Sequence, residues 1–155
     1  MRLSTKVRYG VRALFDIAYH SSGMPIQIKD ISKRQDISQR YLEQIFQKLR
    51  KGGLLKSKRG PRGGYTLAKQ PADISIGDVI MAVEDGTQLV PCVKKKTRST
   101  KKCKQYEACA TRVFWDEASE KIFEYFCSIA IQDICDKAKD MGIKRELDYR
   151  FMYFI

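Results

Sequence analysis

Residues 38–53 repeat apolar side chains with a helical period, and the segment that follows cannot continue a helix. Leu42, Ile45, Phe46 and Leu49 recur every three or four residues and define one buried stripe. Ser38 is a good N-cap, because its hydroxyl can accept from a free N–H, and Gly52-Gly53 is a good stop, because glycine tolerates positive φ. The opposite face carries Gln39, Arg40, Glu43, Gln44, Gln47, Lys48 and Lys51. Residues 54–59 and 65–68 then read as two strands around the turn Gly60-Pro61-Arg62-Gly63-Gly64. A helix with a polar, basic face followed by an arginine-bearing hairpin is the unit around which the rest must pack.

Upstream, residues 4–21 place Val7, Val11, Leu14, Phe15 and Ala18 at helical spacing, with Arg8 and Arg12 on another side. His20, the single histidine, falls at the end of this helix and is expected to be a surface or capping residue. Pro25 breaks the chain, residues 28–35 form a short helix packed through Ile28 and Ile31, and Asp36-Ile37-Ser38 makes the step to the next helix. Helix, short turn, helix, hairpin is the order of a winged helix-turn-helix. Downstream, Pro71 ends the wing and Ser75 with Asp78 resembles a capping box that opens a helix burying Ile76, Val79, Ile80 and Val83. Residues 87–111 lack periodicity. From 111 to about 141 the pattern predicts one long helix lined by Val113, Phe114, Ile122, Phe123, Phe126, Cys127, Ala130, Ile131 and Ile134.

The expected fold class is therefore mainly α with a small β-wing, a winged helix-turn-helix plus a long dimerisation helix. The expected division is a DNA-binding domain over 1–86, a cysteine-containing sensor loop over 87–111, the dimerisation helix over 112–141 and an aromatic tail over 142–155. A helix with so wide an apolar stripe has too little to pack against in a small winged domain, so a second copy is its expected partner.

Charge distribution points to the ligand. Residues 1–70 hold 16 of the 30 Lys and Arg but only 4 of the 18 Asp and Glu, so the whole net charge of +12 resides there. Such a field favours a polyanion, with binding that weakens as salt rises. Gln and Arg near the N-terminal end of the helix are the side chains able to make bidentate bonds to base edges, Lys48 is expected to meet phosphate, and Arg59 and Arg62 at the wing tip suit the minor groove. The expected partners are double-stranded DNA with a palindromic site and a second copy of the chain.

Other classes are disfavoured. Neither GxxxxGK[ST] nor GxGxxG is present, no base stands ready for a cysteine nucleophile, and no aromatic platform for RNA is evident. The chain is not expected to be an enzyme. With no apolar run long enough for a bilayer and no signal peptide, no membrane association is expected and the expected location is the cytoplasm.

Five cysteines in a reducing compartment point to metal binding, redox sensing or burial rather than structural disulfides. Cys92, Cys103 and Cys109 lie in irregular chain, amid seven basic residues from Lys94 to Lys104, where they could ligate a metal or cluster. Nearby positive charge favours thiolate, and the lack of a CxxC pair makes zinc less attractive than iron–sulfur. Cys127 and Cys135 fall on the long helix and are expected to be small buried hydrophobes.

The opening MRLSTKVRYGVRAL, the helix ISQRYLEQIFQKLRKGGLL, the wing RGPRGGYTLA, the segment ISIGDVI and three cysteines ahead of a long helix together resemble the IscR and NsrR type of bacterial transcription regulators, the Rrf-two family. The resemblance implies a homodimeric winged-helix repressor or activator, often carrying an iron–sulfur cluster, 2Fe-2S more than 4Fe-4S. It puts DNA contact on Arg40, Glu43, Gln44 and Arg59 and cluster ligation on Cys92, Cys103 and Cys109. Two departures stand out. The gap from Cys92 to Cys103 is longer than is usual in cluster-bearing members. The positions of the IscR-like histidine and the NsrR-like aspartate hold Arg112 and Arg8, which leaves Glu107, Cys127 or a residue of the partner chain as a fourth ligand. A cluster-free regulator of the same fold, controlled by thiol oxidation, a small molecule or a partner protein, is the alternative.

Overall fold

Ser4 starts the first helix, α1 (Thr5–His20), by accepting from the Val7 N–H at 3.4 Å. In the computed structural model, which describes residues 3–21, 23–84, 88–93 and 105–146, five further helices and one hairpin follow. They are α2 (Ile28–Gln35), α3 (Gln39–Lys51), β1 (Leu55–Lys58), β2 (Gly64–Leu67), α4 (Ile76–Val83), α5 (Ala110–Ser128) and α6 (Ile131–Asp140). The step from α2 to α3 turns on Asp36, which adopts a left-handed conformation with φ of 50°. Aspartate tolerates this region better than most non-glycine residues, because its short polar side chain can bond locally.

Side chains from four helices fill one core: Leu14 and Ile17 of α1, Leu42, Ile45, Phe46 and Leu49 of α3, Val79 and Ile80 of α4, and Ile131 of α6, all essentially inaccessible. The expected stripes of α3 and α4 are thus both buried. Ser75 accepts from the Asp78 N–H at 3.0 Å while the Asp78 carboxylate accepts from the Ser75 N–H at 2.8 Å, the reciprocal capping box. The hairpin is antiparallel, with Leu55 opposite Leu67 and Lys58 opposite Gly64.

The expected single helix over 111–141 is two helices. Ile129 and Ala130 are extended, and the flanking peptide groups pair with the chain before α4: Ile76 N–H donates to the Ile129 carbonyl and Ile131 N–H to the Ile74 carbonyl, both at 2.8 Å. These pairings compensate for the helical bonds given up at the break. The apolar stripe read as continuous is therefore divided. Ile131, Cys135 and Ala138 of α6 return to the core of the same chain, whereas Val113, Phe114, Trp115 and Tyr125 of α5 stay exposed. Gly142, with φ of 70°, follows α6 as expected of a C-terminal glycine. Among the described residues no helix is long and apolar enough to cross a membrane.

Candidate nucleic-acid interface

α3 projects Gln39, Arg40, Glu43, Gln44 and Gln47 into solvent, since the four buried residues of its other face anchor it. Its start is set by Ser38, whose hydroxyl accepts from the Tyr41 N–H at 3.4 Å. Arg40, Glu43 and Gln44 therefore share one accessible surface. Arg59 and Arg62 are exposed at the wing tip, where the Gly63 N–H donates to the Gly60 carbonyl at 2.8 Å and closes a turn with Pro61 and Arg62 at its centre.

The base of the wing is held by a contact that no periodicity announces. Ile26 N–H donates to the Tyr65 carbonyl at 3.0 Å and Tyr65 N–H returns a bond to the Ile26 carbonyl at 2.8 Å. A Cβ at Gly64 would overlap that Ile26 carbonyl, which accounts for glycine there. The Tyr65 ring packs edge-on against Phe46, 4.6 Å between centroids, and ties the wing to α3. Between them lies an open groove lined by Gln47, Arg50, Lys51, Leu55, Lys56 and Ser57. Arg50 and Lys56 were not singled out from the sequence; three cations along one groove suit a phosphate backbone.

Lys48, expected to meet phosphate, is engaged within the chain. It is half-buried, and its Nζ donates to the Val83 carbonyl at 2.9 Å, at the C-terminal end of α4. A cation is favoured there, because the last carbonyls of a helix lack intrahelical partners.

The first two helices are joined by a buried charge. Asp16 is fully buried and accepts from Arg34 Nη2 at 2.6 Å, Arg34 Nε at 3.0 Å and Gln35 Nε2 at 2.9 Å. Arg12 adds bonds to the side chain and carbonyl of Gln35. Asp16 was not singled out from the sequence. His20, expected to be a surface or capping residue, is buried at 6% exposure. Burial holds its pKa below the ordinary imidazole value.

Of the three candidate ligands, Cys92 and Cys109 are half-buried; Cys103 lies outside the described residues. Cys92 sits in a single 3-10 turn (Pro91–Val93) and Cys109 precedes α5. The Thr111 hydroxyl, 3.2 Å from the Cys109 sulfur, and then the Arg112 backbone N–H hold this thiol below its ordinary pKa. Arg112 itself donates to the Tyr106 carbonyl at 3.2 Å and lies over the Tyr106 ring, bracing the turn before Cys109. Two accessible thiols, one with its thiolate stabilised, fit the donor chemistry of a cysteine-held cluster. Among the described residues no three metal-capable side chains gather, and neither Glu107 nor Cys127 completes such a group. Cys135 is buried as expected, and burial raises its thiol pKa. Cys127 is not: it is exposed, with its sulfur against Gly77 at the start of α4.

The arrangement has close counterparts. The model of the Rrf2 family, described as iron-dependent transcriptional regulator, matches residues 3–137. The chain is 42% identical over 134 residues to the HTH-type transcriptional regulator IscR of Erwinia tasmaniensis, covering 86% of this chain and 78% of that protein. Its structure is similar to that of T. potens IscR, with a TM-score of 0.71 and 34% identity over 98% of this chain and 97% of that one. It is also similar to CymR, the global cysteine regulator of B. subtilis, with a TM-score of 0.70 and 29% identity over 88% and 98% of the two chains. These relatives are transcriptional regulators, not enzymes. By the family match and the breadth of these similarities, the chain belongs to the Rrf2 family of transcriptional regulators.

Proposed function

We propose that this chain is a sequence-specific, homodimeric DNA-binding regulator, acting in the cytoplasm, whose signal enters through an iron–sulfur cluster, 2Fe-2S before 4Fe-4S. The observation that carries the DNA reading is the exposed Arg40, Glu43 and Gln44 face of α3 beside an arginine-tipped wing bonded to the same body. Arg40 and Gln44 have the donor and acceptor patterns that match guanine and adenine edges, and Glu43 accepts only from cytosine and rejects other contacts by repelling phosphate. Arg59 and Arg62 reach the adjacent groove, while Arg50, Lys51 and Lys56 follow the backbone between them.

Dimerisation rests on α5. Phe114 is 60% and Tyr125 65% exposed on this helix, an apolar surface that a second α5 would cover. A two-fold reader would address a palindromic operator, in the manner of a repressor occupying both half-sites. Phe114→Asp is expected to shift the protein from dimer to monomer in analytical ultracentrifugation; a monomeric unaltered chain would remove this part.

Cys92, Cys103 and Cys109 would hold the cluster, which when bound supplies a redox-active centre sensitive to oxidants. The chain's own contribution is to stabilise thiolate at Cys109 through Thr111 and to brace the approach to it through Arg112 and Tyr106. Anaerobic purification followed by an absorption spectrum and iron and sulfide assays tests this. The expected result is a coloured protein that Cys92→Ala bleaches; a colourless, iron-free protein after reconstitution overturns it.

The lowered pKa of Cys109 also favours a second reading, a cluster-free regulator controlled by thiol oxidation. CymR of S. aureus has a solved oxidised form, so the fold accommodates an oxidised state. Thiol trapping after peroxide separates the two readings: a disulfide or sulfenic acid at Cys109 in an iron-free protein supports the second.

A further inference from the structure

Lys48 stands one turn after Gln44 on α3, yet its Nζ bonds to α4, and α4 is clamped at both ends by elements with different tasks. At its N-terminal end, the Ile76 N–H donates to the Ile129 carbonyl at the end of α5, and Gly77 leaves just enough room for the Cys127 sulfur. A Cβ at Gly77 would overlap that sulfur and stand 3.2 Å from the Cys127 Cα. At its C-terminal end, the Val83 carbonyl accepts from Lys48 of the reader helix at 2.9 Å. One turn further along the same contact, Gly52 packs so closely that a Cβ there would lie 2.8 Å from the Ala82 Cβ. α4 runs only from Ile76 to Val83, so the two clamps are about 10 Å apart. Val79 and Ile80 bury its middle in the core, and packed interiors transmit displacement rather than absorb it.

We infer that Lys48 is a positioning residue for DNA recognition: it couples the reader helix to α4, and through α4 to the end of α5, and does not itself contact phosphate. This rests on the DNA-binding reading proposed above. A displacement of α5 at Cys127 would push the start of α4, and the Lys48–Val83 link would pass it to the C-terminal half of α3. Cutting that link leaves α3 joined to α4 by apolar packing and the Gly52–Ala82 contact, and weakens its response to α5.

The test is a double-mutant cycle on the full chain, with Lys48→Met at one clamp and Gly77→Ala at the other. Affinity for a selected cognate duplex is read by fluorescence anisotropy across a salt series. Lys48→Met is expected to weaken cognate binding about 10-fold and leave the slope of log affinity against log salt unchanged, as for a residue that releases no counterion. Gly77→Ala is expected to change affinity about 5- to 10-fold alone but less than about 2-fold in the Lys48→Met background, the non-additivity of coupled sites. A salt slope reduced by about 1 in Lys48→Met would make it a phosphate contact and overturn the inference. Independent, multiplying losses would overturn it as well. If circular dichroism finds Gly77→Ala unfolded, Cys127→Ala, which loosens the same contact, takes its place with the same expected outcomes. A chain that binds no duplex would defeat the DNA reading itself; the coupling would then be judged by amide resonances of α3. Those should move with Gly77→Ala in the unaltered chain and stay put in Lys48→Met, and movement in both would sink it.

Discussion

The Nδ1 atom of His20 accepts a hydrogen bond from the backbone N–H of Glu146 at 2.9 Å, tying the segment after α6 to the end of α1. Three further bonds reinforce the tie: the Tyr19 hydroxyl donates to the Ile143 carbonyl at 2.7 Å, and Arg145 donates to the carbonyls of Tyr19 at 2.6 Å and Ser21 at 3.3 Å. Only a ring with an unprotonated Nδ1 can accept, so the tie requires neutral His20.

Acid should therefore loosen this end of the molecule. Burial lowers the His20 pKa; Arg34 and Arg145 act in the same direction, while Asp16 and Glu146 oppose them. A base with a depressed folded pKa binds its proton first in the unfolded chain, so the stability is fully present above the ordinary value of about 6.5. It is lost as pH falls below that value toward the folded pKa, by at most about 1.4 kcal/mol per pH unit. Urea unfolding at pH 7.5 and 5.5 measures it. His20→Gln, which cannot titrate, should lose less stability over this interval than the unaltered chain; equal losses would clear His20 of the effect.

Arg34→Met should destabilise the chain by about 3–5 kcal/mol, because it leaves the buried Asp16 carboxylate without its cation. Removing both charges with Asp16→Asn and Arg34→Met should recover part of the loss. Thermal unfolding of the two variants provides the comparison, and a single variant within about 0.5 kcal/mol of the unaltered chain would show the pair to be dispensable.

Gln44→Ala should cost about 1–3 kcal/mol on the cognate duplex and little on random DNA, the pattern of a base contact. Lys56→Ala, in the groove between reader and wing, should weaken both alike and lower the salt slope by about 1. Titrations on the two duplexes distinguish these roles; equal losses for Gln44→Ala would remove it from base reading.

Alkylation should reach Cys109 before Cys127 and Cys135 in the metal-free chain. Thr111 and Arg112 hold the Cys109 thiol down, whereas burial, with Asp78 for Cys127 and Asp136 for Cys135, holds the others up. More of Cys109 is thiolate at neutral pH, and thiolate is the nucleophile. Mass spectrometry after brief iodoacetamide treatment gives the order. Thr111→Val should slow the Cys109 reaction; an unchanged rate would dismiss the hydroxyl.

The reader helix and wing were legible because their signals are local: a cap, a period, a glycine stop and a turn composition, each acting within a few residues. Lys48 was not, because a lysine on the polar side of a helix has enough reach to bond either solvent or a neighbouring helix, and periodicity is silent on which. The break at Ile129-Ala130 was hidden for a similar reason. Ile131 and Ile134 continue the apolar period of α5, and the competing bonds come from Ile74 and Ile76, more than fifty residues away. Cys127 looked like a core residue on the same pattern, yet it is exposed, with its sulfur against Gly77.

By itself the sequence determined that this chain makes a winged helix-turn-helix with its positive charge gathered at the reader, since helix period, capping and charge are properties of neighbouring residues. The tertiary structure alone decided which apolar surface stays exposed, that of α5 and not that of α6. It alone decided that His20 and Asp16 are interior groups, and that Lys48 turns toward α4. Each of those outcomes is a competition between distant partners for the same bond or the same contact, and only the packed chain resolves it.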